Sequence, residues 1–297
     1  MRYLLPFEYF RAVARAGSVR GAAESLALTP SALNRRIQDF EAELGIKLFD
    51  RSHEGMTLNA AGELVMDYVH TQKFETTKLR AQISDLKGLK KGSISIACTQ
   101  ALTTSALPTI LSGFRVNHPF VTFDIRALRG RQEETLLDAK EIEFAVCLGR
   151  QREFHYESVF SAPASIGVVV TERHRLYDQK RIKAADLEGE DLSLPHPDFR
   201  MYEVLKRCFD ARLLTITPAV QTDDFGLSQS LSTLDNTLSF RLIHPLSKAG
   251  DRSNYRLIPM DERDLPPVEI QILKLRSVRL TPLADRFLQE IISHFSL

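Results

Sequence analysis

Apolar positions in the first third of the chain recur with a helical period, and beyond about residue 92 the pattern changes to short strands alternating with helices. Between Pro30 and Leu44, the residues Leu33, Ile37, Phe40 and Leu44 fall at i, i+4, i+7 and i+11, one stripe that must face a core. Ser31, Asn34, Arg35 and Gln38 repeat at i, i+3, i+4 and i+7 on a different face, and each can hydrogen-bond to base edges or phosphates. Both helix ends are marked. Thr29 can accept a first-turn amide, Pro30 suits the first helical position, and Gly45 suits a left-handed C′ residue. A shorter helix from Val19 to about Leu26, with Ser18 as its cap, lies just upstream across the tight link Ala27-Leu28-Thr29. Two short helices joined this way form a helix-turn-helix, whose second helix enters the major groove.

An opening helix from Leu4 to Ala16 supplies Leu5, Phe7, Phe10, Val13 and Ala14 to the same core. After the helix-turn-helix, Arg51 to His53 and Thr57-Leu58 pair around Glu54-Gly55 as a wing. Arg51 and His53 then reach the DNA backbone or the minor groove, with a plain loop role open for His53. From Asn59 to about Leu89 the chain reads as helix, about 45 Å at 1.5 Å per residue, too long for one small domain. Leu64, Val65, Tyr68, Phe74, Leu79, Ile83 and Leu86 make a broken apolar stripe that seeks a partner, and Lys87-Gly88-Leu89-Lys90-Lys91-Gly92 forms a hinge.

The N-terminal sixty residues resemble the LysR-type transcriptional regulators. The matching residues are Phe10, Val13, Gly17-Ser18, Ala22-Ala23, Ser31-Ala32-Leu33-Asn34-Arg35-Arg36-Ile37, Glu43-Leu44-Gly45, Leu48-Phe49-Asp50-Arg51 and Leu58-Asn59-Ala60-Ala61-Gly62. Asn34 stands where Ser is usual in the family, and Asn59 where Thr is usual; each retains the relevant hydrogen-bonding capacity. The resemblance implies a DNA-binding set of Ser18, Thr29, Pro30, Ser31, Asn34, Arg35, Arg36, Gln38, Arg51, His53 and Thr57. It also implies that the long helix dimerises the chain.

In the second half, strands are expected at Ile94 to Ala97, Val121 to Arg126 and Phe144 to Leu148, with helices at Leu102 to Phe114 and Glu133 to Ala139. This order predicts a parallel, doubly wound α/β sheet. A second set opens with Ser165 to Val170 and continues near Leu192-Leu194, Ala219-Gln221, Thr237-Leu242 and Tyr255-Ile258. Val268 to Leu275 and a helix from Thr281-Pro282 to Phe295 return to the first set. By resemblance these are two α/β lobes like those of a periplasmic solute-binding protein. Leu107-Pro108, Glu143-Phe144-Ala145-Val146 and His174-Arg175-Leu176 carry that likeness. The family's Gly-x-Gly is replaced by Leu234-Asp235-Asn236-Thr237-Leu238-Ser239. The expected division is a winged helix-turn-helix domain over 1–60 and a linker over 61–91. The effector domain follows over 92–297, with lobe I at 92–162 and 267–297 and lobe II at 163–266.

Such sheets bind ligands beyond the carboxyl ends of their strands. The effector-contact candidates are therefore Thr99 and Gln100, Arg129-Gly130-Arg131 and Leu148 on one side, and His196, Phe199, Thr222 and Phe225 on the other. Thr99 and Gln100 open a helix whose amides favour an anion, and the resemblance places the family's ligand-contacting hydroxyl at Thr99. Arg129 and Arg131 suit a carboxylate, or simply surface pairing. His196 has no evident partner and reads as a structural or exposed residue.

Composition changes little. With 39 Lys and Arg against 38 Asp and Glu in 297 residues, the formal charge is +1. The first 60 residues hold eight basic against seven acidic side chains, so DNA affinity must come from placement. Cys98, Cys147 and Cys208 have no metal-ligand spacing and read as ordinary buried thiols. Neither a signal peptide nor an apolar run of bilayer length is visible, which makes a cytoplasmic protein without membrane contact the expectation. Ser165 lies in no nucleophile elbow, and no glycine-rich phosphate loop or His/Glu metal spacing appears, so neither an enzyme nor a cofactor is expected. Glu133-Glu134 read as a solvated helix face. The remaining rival is a solute-binding module whose N-terminal part only assembles the protein. The favoured reading is a DNA-binding regulator, dimeric or tetrameric, whose partners are promoter DNA, a small-molecule effector and, as a further candidate, RNA polymerase.

Overall fold

The computed structural model describes residues 5–52, 55–86, 91–130, 132–149, 155–243 and 255–295. The chain divides into two compact units, Met1–Thr77 and Lys78–Leu297.

In the first unit, α1 (Leu5–Ala16), α2 (Val19–Ser25) and α3 (Pro30–Leu44) precede a hairpin of β1 (Phe49–Ser52) and β2 (Gly55–Leu58), and α4 (Ala60–Leu86) begins there and ends in the second unit. Leu33, Ile37 and Phe40 of α3 are buried against Phe10, Val13, Leu48 and Phe49, whereas Leu44, the last residue of the expected stripe, is exposed. The Gly45 backbone has φ +70°, the left-handed C-cap that its position calls for. Asn59 caps α4 by accepting the Gly62 amide at 2.9 Å while its own amide group donates to the Lys47 carbonyl. A Cβ at Gly62 would come within 2.2 Å of the Leu48 carbonyl oxygen, so only glycine lets α4 start against the strand. Leu64, Tyr68, Leu79 and Ile83 on α4 are exposed, while Val69 and Phe74 are buried.

The second unit is a mixed sheet. Its strands are β3 (Gly92–Thr99), β4 (Val121–Leu128), β5 (Phe144–Leu148), β6 (Tyr156–Thr171), β7 (Leu192–Pro195), β8 (Val220–Thr222), β9 (Leu238–Ile243), β10 (Tyr255–Pro259) and β11 (Val268–Leu275). They lie in the order β4-β3-β5-β11-β6-β9-β7-β8, with β10 also on β6. Helices α5 (Gln100–Thr103), α6 (Leu107–Asn117), α7 (Gln132–Asp138), α8 (Arg200–Ala211), α9 (Phe225–Asp235) and α10 (Pro282–Phe295) complete it.

Each lobe keeps a parallel core, β4-β3-β5 in one and β8-β7-β9 in the other. The parallel order expected of each set is present, and at the seam between them β6 and β11 run antiparallel to their neighbours, which makes the whole sheet mixed. The strand expected to open at Ser165 in fact begins at Tyr156 and runs 16 residues, pairing with β11 along its first part and with β9 and β10 along its last. The single helix expected over Leu102 to Phe114 is broken into α5 and α6. Continuing it through Pro108 would cost the bond to the Thr104 carbonyl and drive the proline ring into it. Arg241 Nη2 takes that carbonyl instead, at 3.3 Å.

Candidate nucleic-acid interface and ligand cleft

The polar face of α3 is open. Ser31, Arg35, Arg36 and Gln38 are exposed and Asn34 is half-buried. Arg35 and Arg36 make no ion pair among the described residues. Thr29 Oγ1 accepts the Ala32 amide at 3.2 Å and lies 3.3 Å from Ser31 Oγ, so the cap and the first polar side chain are held together ahead of the exposed Pro30. Ser18 Oγ accepts the Gly21 amide at 3.1 Å, capping α2. From β1, Arg51 Nη2 donates to Asn34 Oδ1 at 3.2 Å, which brings the hairpin cation onto the α3 face. Thr57 is exposed on β2, opposite Asp50. The hairpin is fixed to the α1–α2 turn by a bond from the Met56 amide to the Gly17 carbonyl, 2.8 Å. His53 lies outside the described residues.

Beneath this face sits one buried carboxylate. Glu41 accepts the Leu48 amide at 2.9 Å and the Lys47 ammonium at 2.7 Å. Burial pushes its acidity the unfavourable way, but those two donors and the charges of Lys47 and Arg51 outweigh it and hold the carboxyl below its ordinary range. Glu41 thereby holds the end of α3 to the start of the hairpin.

In the second unit, Thr99, Gly130, Leu148, Phe199 and Phe225 line one cleft between the lobes, together with Leu128, Glu133, Cys147, Arg200 and Met201. About 330 Å³ there is not filled by atoms, open solvent included, while the space a water can occupy is about 10 Å³, room for one water molecule. Phe199 and Phe225 meet edge to face, 6.2 Å apart. Gly130 has φ +56°, and a Cβ there would lie 3.2 Å from the Asp198 carbonyl of the other lobe. The other candidates stand at the rim. Arg129 is exposed and paired with Asp223 across the lobes at 2.9 Å. His196 is exposed beside Asp198, 3.2 Å away, and Thr222 Oγ1 accepts the Asp224 amide. Gln100 opens α5, which at four residues carries too little aligned dipole to attract an anion. The longer α8 does start at the cleft, and its N-cap Phe199 supplies no side-chain acceptor to the first-turn amides. Arg131 lies outside the described residues. No cluster of three or more His, Cys, Asp or Glu able to hold a metal occurs among the described residues.

Two comparisons fix the lineage. The family description "LysR substrate binding domain" matches residues 87–296, and "Bacterial regulatory helix-turn-helix protein, lysR family" matches residues 5–63. The chain belongs to the LysR family. It is a LysR-type transcriptional regulator with an effector-binding domain, and not an enzyme. The uncharacterized HTH-type transcriptional regulator YybE of Bacillus subtilis (strain 168) is 24% identical over 97% of this chain and 98% of its own. The RuBisCO operon transcriptional regulator of Allochromatium vinosum is 23% identical over 96% and 93%. Among solved structures, full-length CbnR complexed with its target DNA superposes with a TM-score of 0.68 at 20% identity, covering 97% of this chain and 98% of that one.

Within the LysR family pattern, the missing Gly-x-Gly is replaced without loss of the turn. Asn236 adopts the left-handed conformation, φ +66°, at the end of α9, and the Asp235 carboxylate accepts both the amide and the hydroxyl of Thr237. Glu133 corrects the sequence reading: it is fully buried in the cleft, not on a solvated face. Its spacing to Leu136 and Leu137, i+3 and i+4, carries that signal. Cys98 and Cys147 sit on the adjacent strands β3 and β5 but belong to different core clusters, and neither is in a disulfide. Burial pushes the Cys98 thiol far up and the nearby Cys147 adds to it, a setting for an inert thiol.

Proposed function

We propose that this LysR-type regulator reads its operator with Ser31, Asn34, Arg35 and Gln38 of α3. Thr29, Pro30, Arg36 and the hairpin residues Arg51 and Thr57 would take the backbone and groove edges, with Ser18 at the start of α2 beside them. One observation supports this most: the α3 face is polar and exposed, neither arginine makes an ion pair among the described residues, and Arg51 is drawn onto it. The proposed division keeps 1–60 as the DNA-binding domain, 61–91 as linker and 92–297 as effector domain. Leu64, Tyr68, Leu79 and Ile83, exposed on α4, would meet a second copy. The working unit is proposed as a dimer, or a tetramer of two dimers, that contacts RNA polymerase at the promoter. The effector, proposed as a small carboxylate, binds among Thr99, Gly130, Leu148, Phe199 and Phe225. It acts only if it favours one arrangement of the lobes over another.

The deciding experiment selects binding sites for the purified protein from random duplex DNA at one stated salt concentration, since phosphate contacts make affinity fall steeply with ionic strength. Recovery of an interrupted palindrome supports a dimeric operator-binding regulator. Enrichment of no sequence by a folded dimer overturns the proposed interface and favours the solute-binding rival.

A further inference from the structure

The cleft contains a pair of opposite charges taken out of water. Glu133 stands on α7 in the first lobe with a side chain 1% exposed, and Arg200 opens α8 in the second with one 13% exposed. They meet through Arg200 Nη2 and Glu133 Oε1 at 3.4 Å. A charge-assisted bond is ordinarily about 2.7–2.9 Å long, and a guanidinium is shaped to hold a carboxylate with two arms. Arg200 Nε is buried and has no hydrogen-bond acceptor among the described residues. A buried cation is costly unless closely partnered. Here its donor capacity is partly unused beside unfilled space.

The surroundings of the two charges differ. On the Arg200 side, the uncapped first turn of α8 favours negative charge, and Thr99 on the facing lobe makes no capping bond with its hydroxyl. Glu133 supplies the cleft's negative charge. Leu128, Leu148, Phe199 and Phe225 make much of the remaining wall apolar. Small-molecule sites are built this way, from mostly apolar walls with a few placed polar groups.

We propose that the effector is a small zwitterion, an α-amino acid or close analogue, with its carboxylate on Arg200 and the start of α8 and its ammonium on Glu133. This rests on the cleft being the effector site and specifies its ligand class. A ligand of zero net charge brings Arg200 the close acceptor it lacks and sets its ammonium beside the Glu133 carboxylate. A carboxylate without the amine sets its charge against Glu133, and an amine without the carboxylate meets Arg200. The cleft therefore selects by repulsion as well as attraction. Because the two groups belong to different lobes, a bound zwitterion ties one lobe to the other.

Isothermal titration calorimetry on the full-length protein, with each of the common L-amino acids, tests this. Each amino acid that binds is paired with the acid lacking its amine and the amine lacking its carboxylate. At least one amino acid is expected to bind, with both truncated forms weaker by about tenfold or more. In Glu133→Gln the preference for the amino acid over its deaminated acid should collapse, and Arg200→Met should lose both. Should a single variant unfold, the double variant Glu133→Gln/Arg200→Met, which strands neither charge, is expected to keep the parent's circular dichroism and bind no amino acid. A deaminated acid that binds the parent as tightly as the amino acid overturns the zwitterion and leaves a simple anion in the same cleft. Failure of every amino acid, in protein that still selects an operator, overturns the zwitterion but not the regulator. Binding unchanged in both the double variant and Thr99→Val moves the site elsewhere and overturns both readings.

Discussion

Arg51 Nη2 and Asn34 Oδ1 lie 3.2 Å apart, so the hairpin cation is steered by the helix it accompanies. Asn34 occupies the position where the family commonly has Ser, and a serine Oγ reaches one bond less far than Asn34 Oδ1. Asn34→Ser is therefore expected to free Arg51 and change the bases selected under the first turns of α3. The salt dependence of binding should stay the same, since no charge is removed. Site selection from random DNA and a salt titration measure the two separately; an unchanged consensus sinks the idea.

Arg35→Ala tests base reading directly. If the guanidinium contacts a base edge, specific operator affinity should fall by about 1–3 kcal/mol while affinity for unrelated DNA falls much less. Equal losses on both would assign Arg35 to a phosphate.

Thr99 belongs to the cleft and not to the DNA-binding unit. Thr99→Val keeps the shape and removes the hydroxyl, so it should weaken effector binding and leave operator affinity of the ligand-free protein intact. Calorimetry and a gel-shift titration check the two halves, and unchanged effector affinity would move the pocket.

Glu41 makes the N-terminal unit sensitive to acid. Its carboxyl is held below the ordinary range in the folded state, against burial, by the Leu48 amide and Lys47. Its contribution is thus fully present above the unfolded carboxylate pKa of about 4.3 and is lost as pH falls through the lower folded value. Glu41→Gln turns an amide toward the Lys47 ammonium. It should cost about 1–3 kcal/mol at pH 7 and flatten the acid limb of the stability curve. Thermal melts between pH 3 and 7 would show it.

Glu143 has the opposite sign. Burial raises its carboxyl, and the bonds from the Thr281 amide and hydroxyl and the Ser95 contact only offset this. A raised acid contributes stability below the unfolded pKa and loses it as pH climbs through the folded one. Glu143→Gln keeps the acceptor for the Thr281 amide, so its melting temperature relative to the parent should be higher at pH 8 than at pH 5. A difference that does not vary with pH would refute the assignment.

What the sequence made legible follows from how local each determinant is. The caps at Thr29, Gly45 and Asn59 are written within three or four residues of the groups they satisfy, and all three stand where the pattern puts them. Strand Phe144–Leu148 falls within its expected bounds because a continuous apolar run marks a strand buried on both faces, and Val268–Leu275 because Val268, Ile270 and Ile272 alternate with Glu269 and Gln271. The helix α8 went unread although Met201, Leu205, Cys208 and Phe209 give it a buried face. The pairing of Glu133 with Arg200 spans 67 positions and two lobes, which no local pattern encodes. The same is true of Arg129, whose partner Asp223 comes from the far lobe.

The seam between the lobes sets how a ligand can be felt. The chain passes from one lobe to the other within β6 and returns at Pro266-Pro267, just before β11. At the passage Ala164 pairs with Val268 and Pro163 with Glu269, so the two connections are zipped into one antiparallel ribbon. Proline on each connection stiffens it. Being hydrogen-bonded to each other, the two connections move together. Any ligand that shifts one lobe against the other would therefore be felt as a bend or twist of that ribbon.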